Sequence, residues 1–154
     1  MSRLTTRVLA VAAALAAVGA VVGWTSAAGT GPATIRIVDR QFSYTRVDVG
    51  RRGRSPGDYE VITTLLYNKR VTKKPIGSGR TICTFTIGLN RTCIATLKLP
   101  RGQLVASGGL VYRQFYSLAV VGGTGLYDNA RGTVTVIRTT RNPTREILLF
   151  RLTG

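Results

Sequence analysis

The feature that most constrains the fold is a series of short runs rich in β-branched and aromatic residues, each ended by Gly, Pro or Asn, after Gly31. No stretch of this part carries a helical period of apolar residues. Runs of this kind are typical of strands joined by turns. The predicted strands are residues 34–49, 58–67, 71–87, 91–99, 103–113, 117–121, 130–139 and 145–152. Their spacing predicts an all-β fold, a sandwich or a barrel, in one domain.

Glycine and proline predict irregular backbone at two further places. Residues 50–57 have the composition of a loop. Pro75, Gly77 and Gly79 lie inside the third predicted strand, where they predict a bulge or a bend at a barrel rim.

The first 28 residues read as a targeting segment rather than as part of the fold. Arg3 and Arg7 precede an apolar run of 15 residues, 8–22, and small residues follow at Ser26, Ala27 and Ala28. Since a membrane span needs about 20 residues, we interpret this segment as a cleaved secretory signal helix. An uncleaved membrane anchor or a buried core helix remain as alternatives. The predicted mature domain is 29–154, in a secreted or extracytoplasmic protein.

The two cysteines are ten positions apart and symmetric about Gly88, where a turn is predicted. Cys83 and Cys93 would therefore face each other across two antiparallel strands. Export would place them in an oxidising compartment, which favours a structural disulfide. A redox or nucleophilic pair is the alternative, although no Cys-x-x-Cys motif is present.

Two compositional facts bear on chemistry. The chain has no histidine, which excludes an imidazole base and any histidine-ligated metal, and two cysteines alone cannot complete a zinc site. We therefore expect no metal and no cofactor. The 22 basic residues against 6 acidic ones give a formal net charge of +16.

The basic residues cluster in three predicted loops, and two interpretations of them stay open. The clusters are Arg51, Arg52 and Arg54; Lys69, Arg70, Lys73 and Lys74; and Arg138, Arg141 and Arg145. They could bind anionic extracellular polymers or lipid head groups, or they could form an ordinary solvated surface. Aromatic residues do not interleave with them, which argues against specific nucleic-acid binding.

Five segments, in this order, carry a resemblance to a known family. They are residues 55–58, 76–83, 93–104, 107–109 and 119–132, with the sequences SPGD, IGSGRTIC, CIATLKLPRGQL, SGG and AVVGGTGLYDNARG. The chain resembles the allene oxide cyclase and dirigent superfamily, in its small secreted bacterial form, over about residues 36–152. The resemblance implies an eight-stranded antiparallel β-barrel with an apolar cavity, and a homo-oligomer, commonly a trimer.

The Gly-Gly-Thr-Gly segment at residues 122–125 has two interpretations. A phosphate-binding loop would need to open a helix, and no helix is predicted there. We therefore predict that Gly122, Gly123 and Gly125 form a tight turn with positive φ.

The resemblance also implies a class of chemistry. Its members bind a small, reactive, hydrophobic intermediate and steer its cyclisation or coupling without a metal or redox cofactor. An apolar cavity does this by folding the substrate, excluding water and limiting the geometries of attack. An isomerase-like or cyclase-like activity is therefore the first hypothesis. A non-catalytic basic barrel, associated with the cell envelope through anionic polymers or lipids, is the second.

The resemblance carries over to individual residues only in part. Asp39 and Gln41 are the nearest match to a polar pair on the first strand. Cavity positions of the second strand fall on Glu60, Ile62 and Thr64. Glu60 would either face the lumen with a raised pKa, as a general acid or base, or lie solvated at the rim beside an arginine.

The cyclase tyrosine falls on Leu110, so allene oxide cyclisation itself is not expected. Tyr112, two positions on, would supply a hydroxyl or would simply pack. The candidate catalytic residues are therefore Asp39, Glu60 and Tyr112. The candidate ligand-binding residues are Gln41, Ile62, Thr64 and Leu110.

Overall fold

The computed structural model describes residues 32–68, 70–72, 74–111, 113, 115–141 and 143–153. The predicted signal segment 1–28 and the candidate catalytic residue Tyr112 lie outside the described residues. Nothing in the structure therefore tests them.

Eight antiparallel strands form one closed barrel in chain order. They are β1 (Ala33–Val47), β2 (Tyr59–Tyr67), β3 (Gly77–Phe85), β4 (Asn90–Leu99), β5 (Gly102–Val111), β6 (Phe115–Gly125), β7 (Gly132–Arg141) and β8 (Thr144–Leu152). Each strand pairs with its neighbours in the chain, and β8 pairs with β1. The predicted all-β, eight-stranded antiparallel barrel is confirmed.

Alternation along the strands decides which side chains fill the barrel. On β8, Leu148, Phe150 and Leu152 are buried, and Ile147, Leu149 and Arg151 between them are more exposed. Because successive side chains point to opposite faces of a strand, the buried set lines the lumen. Similar sets on the other strands complete an apolar core, which includes Ile37, Leu66, Leu104, Val120 and Val134.

The two ends of the barrel differ. Tyr127 and Ala130, from the β6–β7 connection, pack into the core and cover one end, which we call the closed end. The chain enters β1 and leaves β8 at this closed end. The β1–β2, β3–β4, β5–β6 and β7–β8 connections lie at the other end, which we call the mouth end.

The predicted third strand was too long. Strand β3 begins only at Gly77, and Pro75 precedes it outside the ladder, since proline has no N–H to donate. No register shift falls in β3. The bulges instead lie on β1, β6 and β7, where Phe42, Val121 and Thr139 have no paired residue across the strand at the register shift.

The predicted turn at residues 122–125 was wrong for two of its three glycines. Gly122 and Gly123 lie within β6, paired with Val105 and Leu104. Only Gly125 has a positive φ, of 64°, and the turn follows it. Gly123 is required for a different reason, because a Cβ atom there would lie 2.6 Å from the backbone carbonyl oxygen of Gln103.

We predict that Gly123→Ala lowers the free energy of unfolding by at least about 2 kcal/mol, because backbone atoms on two sides cannot yield to the new methyl group. The matched control is Gly109→Ala on β5, where an added Cβ would meet nothing within 4 Å. Denaturant unfolding of both variants checks this. Equal stability of the two would contradict the close approach at Gly123.

Candidate functional site

A cavity occupies the half of the lumen toward the mouth end. Apolar side chains line most of it, among them Ile62, Leu110, Leu118, Val136 and Leu148. Its volume is about 50 Å³, measured as the space open to the centre of a water molecule. A single water needs about 10–15 Å³ on that measure, so the space is narrow.

Two carboxylates meet in this cavity although they are far apart in the chain. Asp39 on β1 lies directly opposite Glu146 on β8, and both line the cavity. The Glu146 backbone N–H donates to Asp39 Oδ1 at 3.1 Å. The barrel closure therefore positions this pair.

Arg138 forms an ion pair with one of the two carboxylates, Glu146, and its charge also lowers the pKa of the other, Asp39. Arg138 lies opposite Glu146 on β7 and donates from Nε and Nη2 to its Oε1, at 3.2 and 2.9 Å. Burial raises the pKa of Glu146, and the Arg138 charge opposes that rise. Glu146 is thus the member of the pair that is bound to arginine.

Asp39 is the group that titrates near neutral pH. Burial, reinforced by the negative charge of Glu146, raises its pKa from 3.8 to about 7. Hydrogen bonds from the Glu146 N–H and the Thr64 side chain partly oppose the rise. A carboxyl with this pKa can both donate and accept a proton at physiological pH.

Tyr116 supplies a hydroxyl to the same cavity. It lines the space from β6, and burial, with the charges of Glu146 and Asp39, raises its pKa far above the ordinary value. It therefore remains protonated at neutral pH and can donate a hydrogen bond.

The structure brings together most of the predicted site residues. Asp39, Gln41, Ile62, Thr64 and Leu110 all line the cavity. Cys83 and Cys93 form the expected disulfide between β3 and β4, and this disulfide is part of the cavity wall.

Glu60 was predicted either to face the lumen or to lie solvated at the rim beside an arginine, and the structure combines features of both. It shares the inner face of β2 with Ile62 and Thr64, but it does not line the cavity. It is 3% exposed and forms an ion pair with Arg91, and the Tyr44 hydroxyl donates to it at 3.0 Å. Glu60 is therefore paired with arginine as in the rim interpretation, but it is buried rather than solvated.

Sequence reasoning missed Glu146, Arg138 and Tyr116 as site residues. Arg138 was placed in a surface cluster, but it is half-buried in an ion pair. The predicted sixth strand began one residue after Tyr116. The available signal was alternation, because Glu146 has the parity of Leu148 and Phe150, and Tyr116 has that of Leu118 and Val120.

A fourth buried carboxylate, Asp58, organises the loop beside the mouth. Asp58 accepts hydrogen bonds from the Val49 N–H at 2.9 Å, the Ser55 N–H at 3.0 Å and Arg46 Nη2 at 2.8 Å. These bonds, led by that of Val49, hold the pKa of Asp58 well below its usual range. Asp58 is therefore a structural anchor for this loop.

The described part of the chain contains no group of three or more histidine, cysteine, aspartate or glutamate side chains placed to hold a metal ion. Among the same residues, no helix is long and apolar enough to cross a bilayer.

We predict that the stability difference between the wild type and Asp39→Asn depends on pH. The Asp39 carboxyl has a pKa of about 7 in the folded protein, against an ordinary value of 3.8. Its contribution to the free energy of unfolding therefore falls as pH rises from about 4 to about 7. Asparagine does not titrate. The free energy of unfolding of the variant should therefore rise relative to that of the wild type across this window, by up to about 4 kcal/mol.

Denaturant unfolding of both proteins from pH 4 to pH 8 measures this difference. Asp128→Asn, at an exposed position, controls for the loss of a carboxylate. A constant difference between wild type and Asp39→Asn across the window would contradict the raised pKa.

Comparisons with known proteins place this geometry among solved barrels. No protein-family model and no curated protein matches the chain. A pyocyanin demethylase matches at a TM-score of 0.66 and 25% identity, over 79% of this chain and 100% of that chain. A pterocarpan synthase dirigent protein matches at 0.62 and 14% identity, over 80% of this chain and 94% of that chain.

The Diels-Alderase AbmU from Streptomyces koyangensis matches at a TM-score of 0.60 and 14% identity, over 79% of this chain and 64% of that chain. These solved structures include dirigent and cyclising proteins, as the motifs at residues 55–132 led us to expect. The resemblance predicted from the sequence is therefore confirmed at the level of the fold: the chain has an eight-stranded barrel similar to that of dirigent proteins.

Proposed function

We propose that this protein is an exported barrel that binds a small hydrophobic intermediate in its lumen and steers its cyclisation or coupling. The observation that carries the proposal is a buried, titratable carboxylate, Asp39, in the wall of an otherwise mostly apolar cavity. The similarity of the fold to a dirigent protein and to a Diels-Alderase supports the same class of reaction.

In this proposal Asp39 moves the proton. Its ionised form takes a proton from an acidic C–H or O–H group of the substrate, and its protonated form returns that proton to the product, so the isomerisation is balanced. The negative charge of Glu146, which is bound to Arg138, raises the pKa of Asp39. The Tyr116 hydroxyl donates to the oxygen on which negative charge develops.

In this proposal the apolar wall of the cavity also contributes to the reaction. A narrow lumen limits the conformations of a bound intermediate and keeps water away from the reacting atoms. The empty space is about 50 Å³ on the measure used above, so a substrate of more than a few atoms requires side chains to move. Leu110 and Tyr116, close to the ends of β5 and β6 at the mouth, are the side chains we propose to move.

The disulfide supports export. Disulfides persist in oxidising compartments and are rare in the cytosol of mesophiles. Cys83 and Cys93 are joined in the barrel wall, which agrees with the signal segment predicted for residues 1–28.

We also propose that the barrel self-associates, as a homotrimer in line with the family resemblance. Ile82 and Ile94 are paired on the outer wall of β3 and β4, and their side chains are 45% and 55% exposed. An adjacent barrel would bury this pair. A native mass spectrum would count the chains directly.

Demethylation of pyocyanin is a second candidate function, in which the methyl carbon would leave as formaldehyde with the oxygen of a water molecule and the two electrons would remain on the pyocyanin ring, which is released in reduced form. The observation that favours it is the match to a pyocyanin demethylase, which covers 100% of that chain at 25% identity. Incubation of this protein with pyocyanin would distinguish the two. Loss of a methyl group, detected by mass spectrometry and absent with Asp39→Asn, would favour demethylation, and unchanged pyocyanin would exclude that substrate.

We predict that the purified protein retains a small hydrophobic molecule after exposure to a hydrophobic extract of the producing organism. Leu110→Trp should abolish retention, because the larger ring fills the cavity. Asp39→Asn should retain the molecule but convert it at least about 100-fold more slowly, the range typical of a lost general acid or base. Native mass spectrometry measures retention, and product analysis measures conversion.

The matched control is Val111→Trp, the next position on β5, whose side chain lies on the other face of the strand. It should retain and convert the molecule like the wild type. Retention by Leu110→Trp would contradict binding in the lumen. Full conversion by Asp39→Asn would contradict the role of the carboxylate.

A further inference from the structure

The exposed charged side chains of the barrel are almost all cationic, because most of the acidic residues are buried. Of the six acidic residues, Asp39, Asp58, Glu60 and Glu146 are between 0% and 9% exposed. Only Asp48 and Asp128 are exposed. The positive charge of the chain is therefore little compensated at the surface, and anionic partners are attracted to it.

Exposed arginines surround the mouth end. We call them the arginine rim: Arg51, Arg52 and Arg54 from the β1–β2 loop, Arg113 after β5, and Arg141 at the end of β7. Cations are also exposed at the closed end, for example Arg101, Arg131 and Arg151. Charge alone therefore attracts the barrel to an anionic surface without choosing an end.

The exposed apolar side chains distinguish the two ends of the barrel. We call four of them the apolar tips: Val49, Ile87, Leu89 and Phe115, which are 47%, 79%, 59% and 63% exposed. All four lie in connections or strand ends at the mouth. Among the described residues, the connections at the closed end carry Ile76 and Leu126 in this class, at 38% and 37%, and Val121 on the outer wall toward that end is 46% exposed.

The loop that carries part of both sets is held in place. Asp58 binds the backbone of Val49 and Ser55 and the Arg46 side chain. The Arg54 guanidinium lies 5.7 Å from the centre of the buried Phe85 ring. An ordered loop loses less conformational entropy when a partner binds.

We propose that the mouth end docks on an anionic lipid surface, with the apolar tips entering the interfacial region and the arginine rim binding lipid phosphates. Soluble acidic polymers would use the cations alone and would leave the apolar tips in water. A lipid surface satisfies both sets at once. This inference goes beyond the proposed reaction and does not require the cavity to be catalytic.

Docking in this orientation would also connect the lipid phase with the lumen. The cavity lies toward the mouth, with Thr144 and Leu110 in its wall near the strand ends. A hydrophobic ligand dissolved in the membrane could enter without crossing water.

The test uses single tryptophan reporters in the predicted mature domain, residues 29–154, which lacks the natural Trp24 and contains the whole barrel. Leu89→Trp and Phe115→Trp place a reporter at the mouth, Ile94→Trp on the outer wall and Leu126→Trp at the closed end. Each protein is mixed with phosphatidylglycerol–phosphatidylcholine vesicles that contain brominated acyl chains, and tryptophan quenching is recorded.

Quenching at positions 89 and 115, with little at 94 and 126, is the expected result, and it should weaken as salt is added. Equal quenching at all four positions, quenching strongest at 126, or no vesicle binding at low salt would overturn the proposal. Vesicles of phosphatidylcholine alone should bind far less.

Paired charge variants provide a second measurement that does not depend on the reporters. Arg51→Gln with Arg52→Gln should weaken vesicle partitioning by about 30-fold, since each arginine at the surface contributes a factor of about five. Arg101→Gln with Arg151→Gln, at the closed end, removes the same charge and should have a much smaller effect. Equal effects of the two pairs would mean attraction by net charge alone and would refute docking by the mouth.

Discussion

The pairing of the first strand with the last closes the barrel, and the site depends on that closure. Strands β1 and β8 pair from Ala33 with Leu152 to Arg40 with Arg145. The pairing removes the exposed edges that an open sheet of eight strands would leave. It also makes Asp39 a direct neighbour of Glu146, although 107 positions separate them in the chain. Without the closure there is neither a lumen nor a carboxylate pair.

The electrostatics of the lumen follow from where the compensating arginines lie. A buried charge is unfavourable unless it is paired, and removing one partner of a buried pair leaves the other uncompensated. Glu60 has Arg91 and Glu146 has Arg138, so these carboxylates form ion pairs. Asp39 has hydrogen bonds and a negative neighbour, and its pKa rises to about 7. Glu60 and Glu146 are therefore each paired with an arginine, whereas Asp39 lies beside a negative charge in the cavity wall.

Local features of the fold were predictable, and the site was predictable in part. Strands were recognised from alternation, and the disulfide from the symmetry of Cys83 and Cys93 about a turn, because both signals lie within about ten residues. Asp39 and Gln41 were placed on one face correctly, since the period of a strand is two. The family resemblance added Ile62, Thr64 and Leu110, which also line the cavity.

The errors have different causes. Gly122 and Gly123 were expected in a turn, but the close approach of the Gln103 backbone, on the neighbouring strand, is what requires glycine at 123. That contact joins residues 20 positions apart and is not visible in the local pattern. Arg138 was expected in a surface cluster, although Glu146 lies only eight positions away on the same hairpin, so the alternation of β8 could have revealed this pair.

By itself, the sequence determined that the chain forms antiparallel strands, that it has no imidazole chemistry, and that it carries a large positive charge. These properties depend on residue types and on short-range alternation. The tertiary structure alone decided that four of the six acids are buried, that Asp39 rather than Glu60 lines the cavity, and that the apolar tips lie at the mouth. Each of these depends on register and closure, which bring together residues that are distant in the chain.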